Sequence, residues 1–284
     1  MNRRYTLLIC CLVFCLSVTT ALTACAFAAN STVDSSSHET FTIEQQAGVT
    51  DQSVNEIQQA ADATKQFFAD SMGLALEKPV TLVLTPDRPS YIAEVITRFK
   101  ISELDAERAA KGTDALAGKD LIIINVSGIP TVRQKTFLIA HELTHKYQYQ
   151  LAGPQASKVM WLLEGMAESI GAQVVARQGY WKLDQYYNNW QSGLRLTANK
   201  PTLGELETRD GWSLSISQYG SPYTYKTAGL AVLVLTERFG QQQVLDYFTR
   251  LGRGETPETA FQNAFGTTMS DFANDFTRSI RKAS

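Results

Sequence analysis

Two histidines spaced four residues apart, in the run His141-Glu142-Leu143-Thr144-His145, constrain this chain more than any other feature. Residues four apart on an α-helix share a face, so both imidazoles can turn toward one point, with Glu142 one step round beside them. Eighteen residues then separate His145 from Glu164, which lies in the segment Trp161-Leu162-Leu163-Glu164-Gly165-Met166-Ala167-Glu168. A catalytic zinc takes three protein ligands and keeps one position open, and a carboxylate from a second helix can complete a two-histidine set. The candidate metal ligands are therefore His141, His145 and Glu164, holding one Zn²⁺ ion. The chain contains only three histidines, so chance rarely places two of them at this spacing around a glutamate. A set of two histidines and a glutamate also tolerates other divalent ions, and availability decides among them.

The sequence places the motif inside a helix. Thr131 followed three residues later by Gln134 is a capping box, the run from Phe137 to Leu143 is largely apolar, and Gly153-Pro154 ends the segment. Upstream, Val54, Ile57, Ala61, Thr64, Phe67 and Phe68 recur at helical spacing and predict a helix over about 44 to 72. Val80 to Leu84 and the β-branched run 121 to 126 predict strands, with a short helix over 89 to 99. Beyond the metal helix the chain reads as nearly all helix, over about 155 to 177, 181 to 192, 222 to 239, 241 to 251, 257 to 265 and 269 to 282. The expected class is α+β and mostly helical.

The first 28 residues read as an export signal. Arg3 and Arg4 supply positive charge ahead of an apolar run from Tyr5 to about Ala24. Two processing sites compete. Leu22-Thr23-Ala24-Cys25 resembles a bacterial lipobox, which would lipidate Cys25, and Ala26-Phe27-Ala28 fits an ordinary signal-peptidase site. A retained transmembrane anchor is a third reading. The lipobox reading is preferred, giving an exported, surface-anchored bacterial protein whose only membrane attachment is that lipid. Residues 29 to 44 read as a Ser/Thr-rich flexible linker that includes the third histidine, His38, and 45 to 284 as the folded domain. All four cysteines lie in the leader, so the domain has no thiol for a disulfide or a metal site. Removing Arg3 and Arg4 leaves 24 basic residues against 28 acidic ones, a net charge near −4. That balance excludes the clustered positive charge of a nucleic-acid binder.

With these residues in view, the chain resembles a gluzincin, in the peptidase MA-like group allied to aminopeptidase N and more distantly to thermolysin. The resemblance covers about residues 75 to 282 and rests on the HExxH run, the eighteen-residue spacing and the Trp-Leu-x-Glu-Gly-x-Ala flank of Glu164. It implies a zincin-like fold, in which a small mixed β-sheet packs on the HExxH helix with a C-terminal helical lobe behind. It also implies a metallopeptidase mechanism with a zinc-bound water as nucleophile and Glu142 as general base. Glu168, one turn after Glu164, falls where such enzymes keep a carboxylate that orients a ligand histidine. A tyrosine would donate to the oxyanion. Three compete, namely Tyr219, Tyr223 and Tyr225, with Tyr225 first by its spacing of fifteen from Gly240 and Tyr223, three before Lys226, second.

Substrate class is less constrained. No acidic residue lies between Leu121 and Phe137 to neutralise a free α-amine, which disfavours an aminopeptidase and favours an endopeptidase acting on an extended peptide or protein. The strand at 121 to 126 is the expected edge for backbone pairing with such a substrate. Trp181, Tyr186, Tyr187 and Trp190 form an aromatic stripe that reads as core before cleft. Two other classes stay open, a zinc hydrolase of cell-wall peptides or amides and a non-catalytic surface binding module. Oligomeric state is not written in the chain.

Overall fold

The computed structural model describes residues 40–281; the expected leader with Cys25, and His38, lie outside them. Within that range the chain is α+β and mostly helical, with one four-stranded mixed sheet. The strands are β1 (Phe41–Gln45), β2 (Val80–Thr85), β3 (Ala115–Ala117) and β4 (Leu121–Asn125), in the order β1-β2-β4-β3. β1 and β4 both pair with β2 in parallel, and β3 closes the far edge antiparallel to β4.

Side-chain alternation dresses both faces of this sheet, as the period of two in a strand requires. Leu82, Leu84, Ile122 and Ile124 point to one face, where they meet Ile57, Ala60 and Ala61 of α1 (Asp51–Met72) and Ile139 and Leu143 of α4 (Val132–Ala152). Val83 and Ile123 point the other way, onto Tyr91 and Val95 of α2 (Arg88–Phe99) and Ala106 and Ala110 of α3 (Glu103–Ala110). Helix α4, which carries the HExxH run, thus lies directly on the sheet. Its back face joins a larger helical core with α5 (Met160–Arg177), α6 (Leu183–Leu196), α7 (Arg209–Tyr219), α8 (Ser221–Phe239), α9 (Gln241–Gly252), α10 (Pro257–Phe265) and α11 (Met269–Arg281). There Tyr147 of α4 stacks on Phe68 of α1 with ring centroids 3.7 Å apart and planes 12° from parallel. At its first turn α4 is also tied to α1 by a partly buried ion pair, Lys135 Nζ to Glu56 Oε2 at 2.7 Å.

Several elements depart from the sequence reading. Residues 41 to 44 are not linker but strand: Phe41 is buried and Ile43 packs on the sheet core, so the domain begins in β1. Helix α1 starts at Asp51 instead of 44, because Gly48 takes a positive φ of 92° and the Thr50 hydroxyl caps the Ser53 amide. The helix expected over 155 to 177 is interrupted. Gly153–Lys158 is a 3₁₀ segment, and α5 begins only where the amides of Met160 and Trp161 donate to the carbonyls of Glu207 and Leu206. Strand β4 has neighbours on both sides, so it offers no open edge; the outer strand on that side is β3. The capping box at Thr131 and Gln134 is present as expected, with both reciprocal hydrogen bonds made.

Behind α4, the geometry is fixed by the close crossing of α5 and α8. A Cβ at Gly165 would sit 2.4 Å from the carbonyl oxygen of Ala228, and one at Gly229 would sit 2.8 Å from the Trp190 ring and 2.9 Å from Glu168 Cβ. Only hydrogen fits at either place. Forcing a methyl into such a contact costs about 1–3 kcal/mol. Gly165→Ala is therefore expected to lose about 1–3 kcal/mol in urea unfolding, and an unchanged midpoint would show that the two helices can separate at no cost.

Candidate metal centre

Helix α4 carries His141 and His145 on one face, and α5 brings Glu164 opposite them. Their facing atoms form a small triangle. His141 Nε2 lies 3.2 Å from His145 Nε2 and 3.4 Å from Glu164 Oε2, and His145 Nε2 lies 3.6 Å from the same oxygen. Tetrahedral zinc with bonds of about 2.0–2.1 Å places its ligand atoms roughly 3.3–3.4 Å apart, so the three side chains are already spaced for one ion. The three groups could hold a metal ion.

The outward nitrogens support the same geometry. His141 Nδ1 faces Glu168 Oε1 at 3.1 Å, and His145 Nδ1 faces Gln148 Oε1 at 2.8 Å. An imidazole that donates from Nδ1 keeps Nε2 as the lone-pair atom. Glu168 therefore lies where the resemblance implied, one turn beyond Glu164 and against a ligand histidine. Gln148 was not anticipated, although its position three residues after His145, on the same helix face, is a readable signal.

Glu142 is 7% exposed, and among the described residues no hydrogen bond or ion pair engages its carboxylate. That leaves both oxygens for a small molecule at the centre. Tyr225 of α8 approaches His141 with ring centroids 6.1 Å apart, and its ring is set edge-on by Trp212 of α7 at 5.0 Å and 87°. Tyr219 turns away, donating its hydroxyl to Glu205 at 3.0 Å. Tyr223 is half-buried against the helical core. Of the three tyrosines, Tyr225 is the one with a described contact to a candidate ligand. Trp212 lies on a helix that the sequence reading passed over, because Arg209–Tyr219 is Ser-rich and contains a glycine.

The aromatic stripe divides as expected of core. Tyr186 and Trp190 are buried, Tyr186 stacks on Phe137 one turn before His141, and Trp190 covers Gly229 beside Glu168. Trp181 is partly exposed, with the Arg133 guanidinium 5.0 Å over its ring. Burial raises the Tyr186 hydroxyl to about 12. Lys146, next to His145, reaches back to the carbonyls of Gly118 and Leu121, which ties the β3–β4 turn to α4.

Burial disfavours charge on His141, yet hydrogen bonds to Glu164 and Glu168 hold its pKa well above the usual 6.5. Burial likewise opposes ionisation of Glu164, but His145 and His141 together hold it far below 4.5. Without metal, a proton shared in this cluster stands in for the cation. No protein-family model matches the chain, and no curated protein matches it.

A sign follows for pH. In the metal-free protein a raised His141 pKa stabilises the fold fully below 6.5 and the effect is lost as pH rises through the folded value. A depressed Glu164 pKa stabilises above 4.5 and is lost only in strong acid. The metal-free stability from this cluster is thus greatest between about pH 4.5 and 6.5. Because a metal must displace the proton, the Tm increase on adding zinc is expected to grow from pH 6 to pH 8, and a flat or falling increase would contradict the cluster.

Proposed function

We propose that this chain is an exported zinc metallopeptidase of the gluzincin type, on a zincin-like fold, acting as an endopeptidase on extended peptides or proteins. The observation that carries this reading is the near-equilateral triangle of His141 Nε2, His145 Nε2 and Glu164 Oε2, with edges of 3.2 to 3.6 Å, beside an unpaired Glu142. The leader ending at Cys25 or Ala28 supports export, and the lipobox at Cys25 supports attachment to a bacterial surface.

His141, His145 and Glu164 would hold the ion, with Glu168 orienting the first imidazole. A zinc ion held there would supply Lewis acidity and would lower the pKa of a water molecule toward about 7. Glu142 then takes the proton from the attacking water as the oxygen bonds to the substrate carbonyl carbon, and it delivers that proton to the amine as the C–N bond breaks. Tyr225, held by Trp212, donates its hydroxyl to the oxyanion of the tetrahedral intermediate. Backbone pairing with an extended substrate falls to β3, the outer strand, whose turn Lys146 fastens beside His145.

The test uses purified protein, metal analysis, and unfolded-protein and cell-wall peptide substrates with and without chelator. Glu142→Gln is expected to keep one zinc and lose about 10²–10⁴-fold in kcat, the usual contribution of a general base. Turnover surviving in that variant removes the mechanism, and a wild-type protein that takes up no divalent ion removes the centre. Chelator-sensitive cleavage confined to the cell-wall substrates would move the activity to that class. Tyr225→Phe is expected to keep zinc and lose about 10²–10³-fold in kcat, whereas Tyr223→Phe stays within a few-fold of wild type.

A further inference from the structure

We infer that Gln148 is a positioning residue whose single buried amide orients two of the three metal ligands at once, His145 through its ring and Glu164 through its own peptide unit. The inference rests on the metal-centre reading above. Gln148 is fully buried, and its two amide atoms point to different helices. Nε2 lies 2.8 Å from the carbonyl oxygen of Leu163 in α5, and Oε1 lies 2.8 Å from His145 Nδ1 in α4.

The orientation of this amide is forced. The Leu163 carbonyl can only accept, so the atom facing it is the NH₂, which leaves the Gln148 oxygen facing His145. That oxygen can only accept in turn, so the proton of the ring lies on His145 Nδ1. Nε2, the atom that faces His141 and Glu164, is then the lone-pair nitrogen of the neutral imidazole. The two histidines are therefore oriented by different chemistry, His141 by the Glu168 carboxylate and His145 by a neutral amide.

The second half of the contact reaches the third ligand. The Leu163 carbonyl belongs to the planar peptide unit whose nitrogen is that of Glu164, so a hydrogen bond to it fixes the backbone from which the Glu164 side chain leaves. A rotation of α5 that carried Glu164 away from the imidazoles would also displace the Leu163 carbonyl from this bond. One side chain thereby couples the spacing of α4 and α5 to the tautomer of a ligand between them.

The test compares the full chain with two variants. Gln148→Met keeps the volume and removes both polar contacts; Gln148→Glu restores an acceptor for His145 but cannot donate to Leu163. Zinc affinity is measured by chelator competition and ligand geometry by the visible spectrum of the cobalt-substituted protein. Gln148→Met is expected to bind zinc about 10–100-fold more weakly, with a shifted cobalt spectrum, and Gln148→Glu to recover part of the affinity. A merely structural role would lower Tm without moving the spectrum. Wild-type affinity and an unchanged spectrum in a folded Gln148→Met would overturn the assignment. Nitrogen NMR on the wild type gives a readout that needs neither a variant nor metal: His145 is expected to carry its proton on Nδ1 with and without zinc, and a bare Nδ1 overturns the assignment. Failure of the wild type to take up zinc would sink the peptidase reading and leave that tautomer measurement standing as the judge of Gln148.

Discussion

Three largely enclosed atoms with lone pairs, two imidazole nitrogens and one carboxylate oxygen, face a common point within 3.6 Å of one another. Such a group repels itself unless positive charge lies among its members, because burial removes the water that would otherwise screen it. Everything near the point answers that requirement. Glu168 and Gln148 accept from the far sides of the rings, so the lone pairs stay pointed inward. Glu142 stays outside the triangle, and among the described residues its carboxylate makes no hydrogen bond or ion pair.

Convergence of this kind depends on helices held at short range, and glycine sets the range here. At Gly165 and Gly229 the surfaces of α5 and α8 meet with no room for a methyl group. The first glycine follows Glu164 directly, and the second packs against the stem of Glu168. The approach of α8 that these residues allow also brings Tyr225, one turn before Gly229, to His141. A single close crossing therefore determines the carboxylate that would bind the ion, the carboxylate that steers a histidine and the hydroxyl that would meet the substrate.

Much of this was legible in the chain because the signals are local. The spacing of His141, His145 and Glu164, the capping box at Thr131 and the period of apolar residues each depend on a few neighbours along one helix. What escaped was decided at longer range. Strands β1 and β3 are five and three residues long and exist because β2 and β4 offer backbone partners, so their own sequences carry little sign of them. Helix α7, with Ser and Gly in its interior, is held by the burial of Trp212. Spacing from Gly240 already put Tyr225 first, but the Trp212 ring that sets it beside His141 belongs to tertiary structure. Gln148 could have been marked from its helical offset, but its second contact, to Leu163, belongs to tertiary structure.

Helix α4 is enclosed on several sides: the sheet lies under Ile139 and Leu143, the Phe68 ring lies flat on Tyr147, and Lys135 is anchored to Glu56. A helix so enclosed keeps its shape through packing that owes nothing to an ion. Loading and stripping the centre would then be exchange at a preformed socket, limited by how fast the incoming cation sheds its hydration shell, and one metal could be traded for another without passing through an unfolded chain.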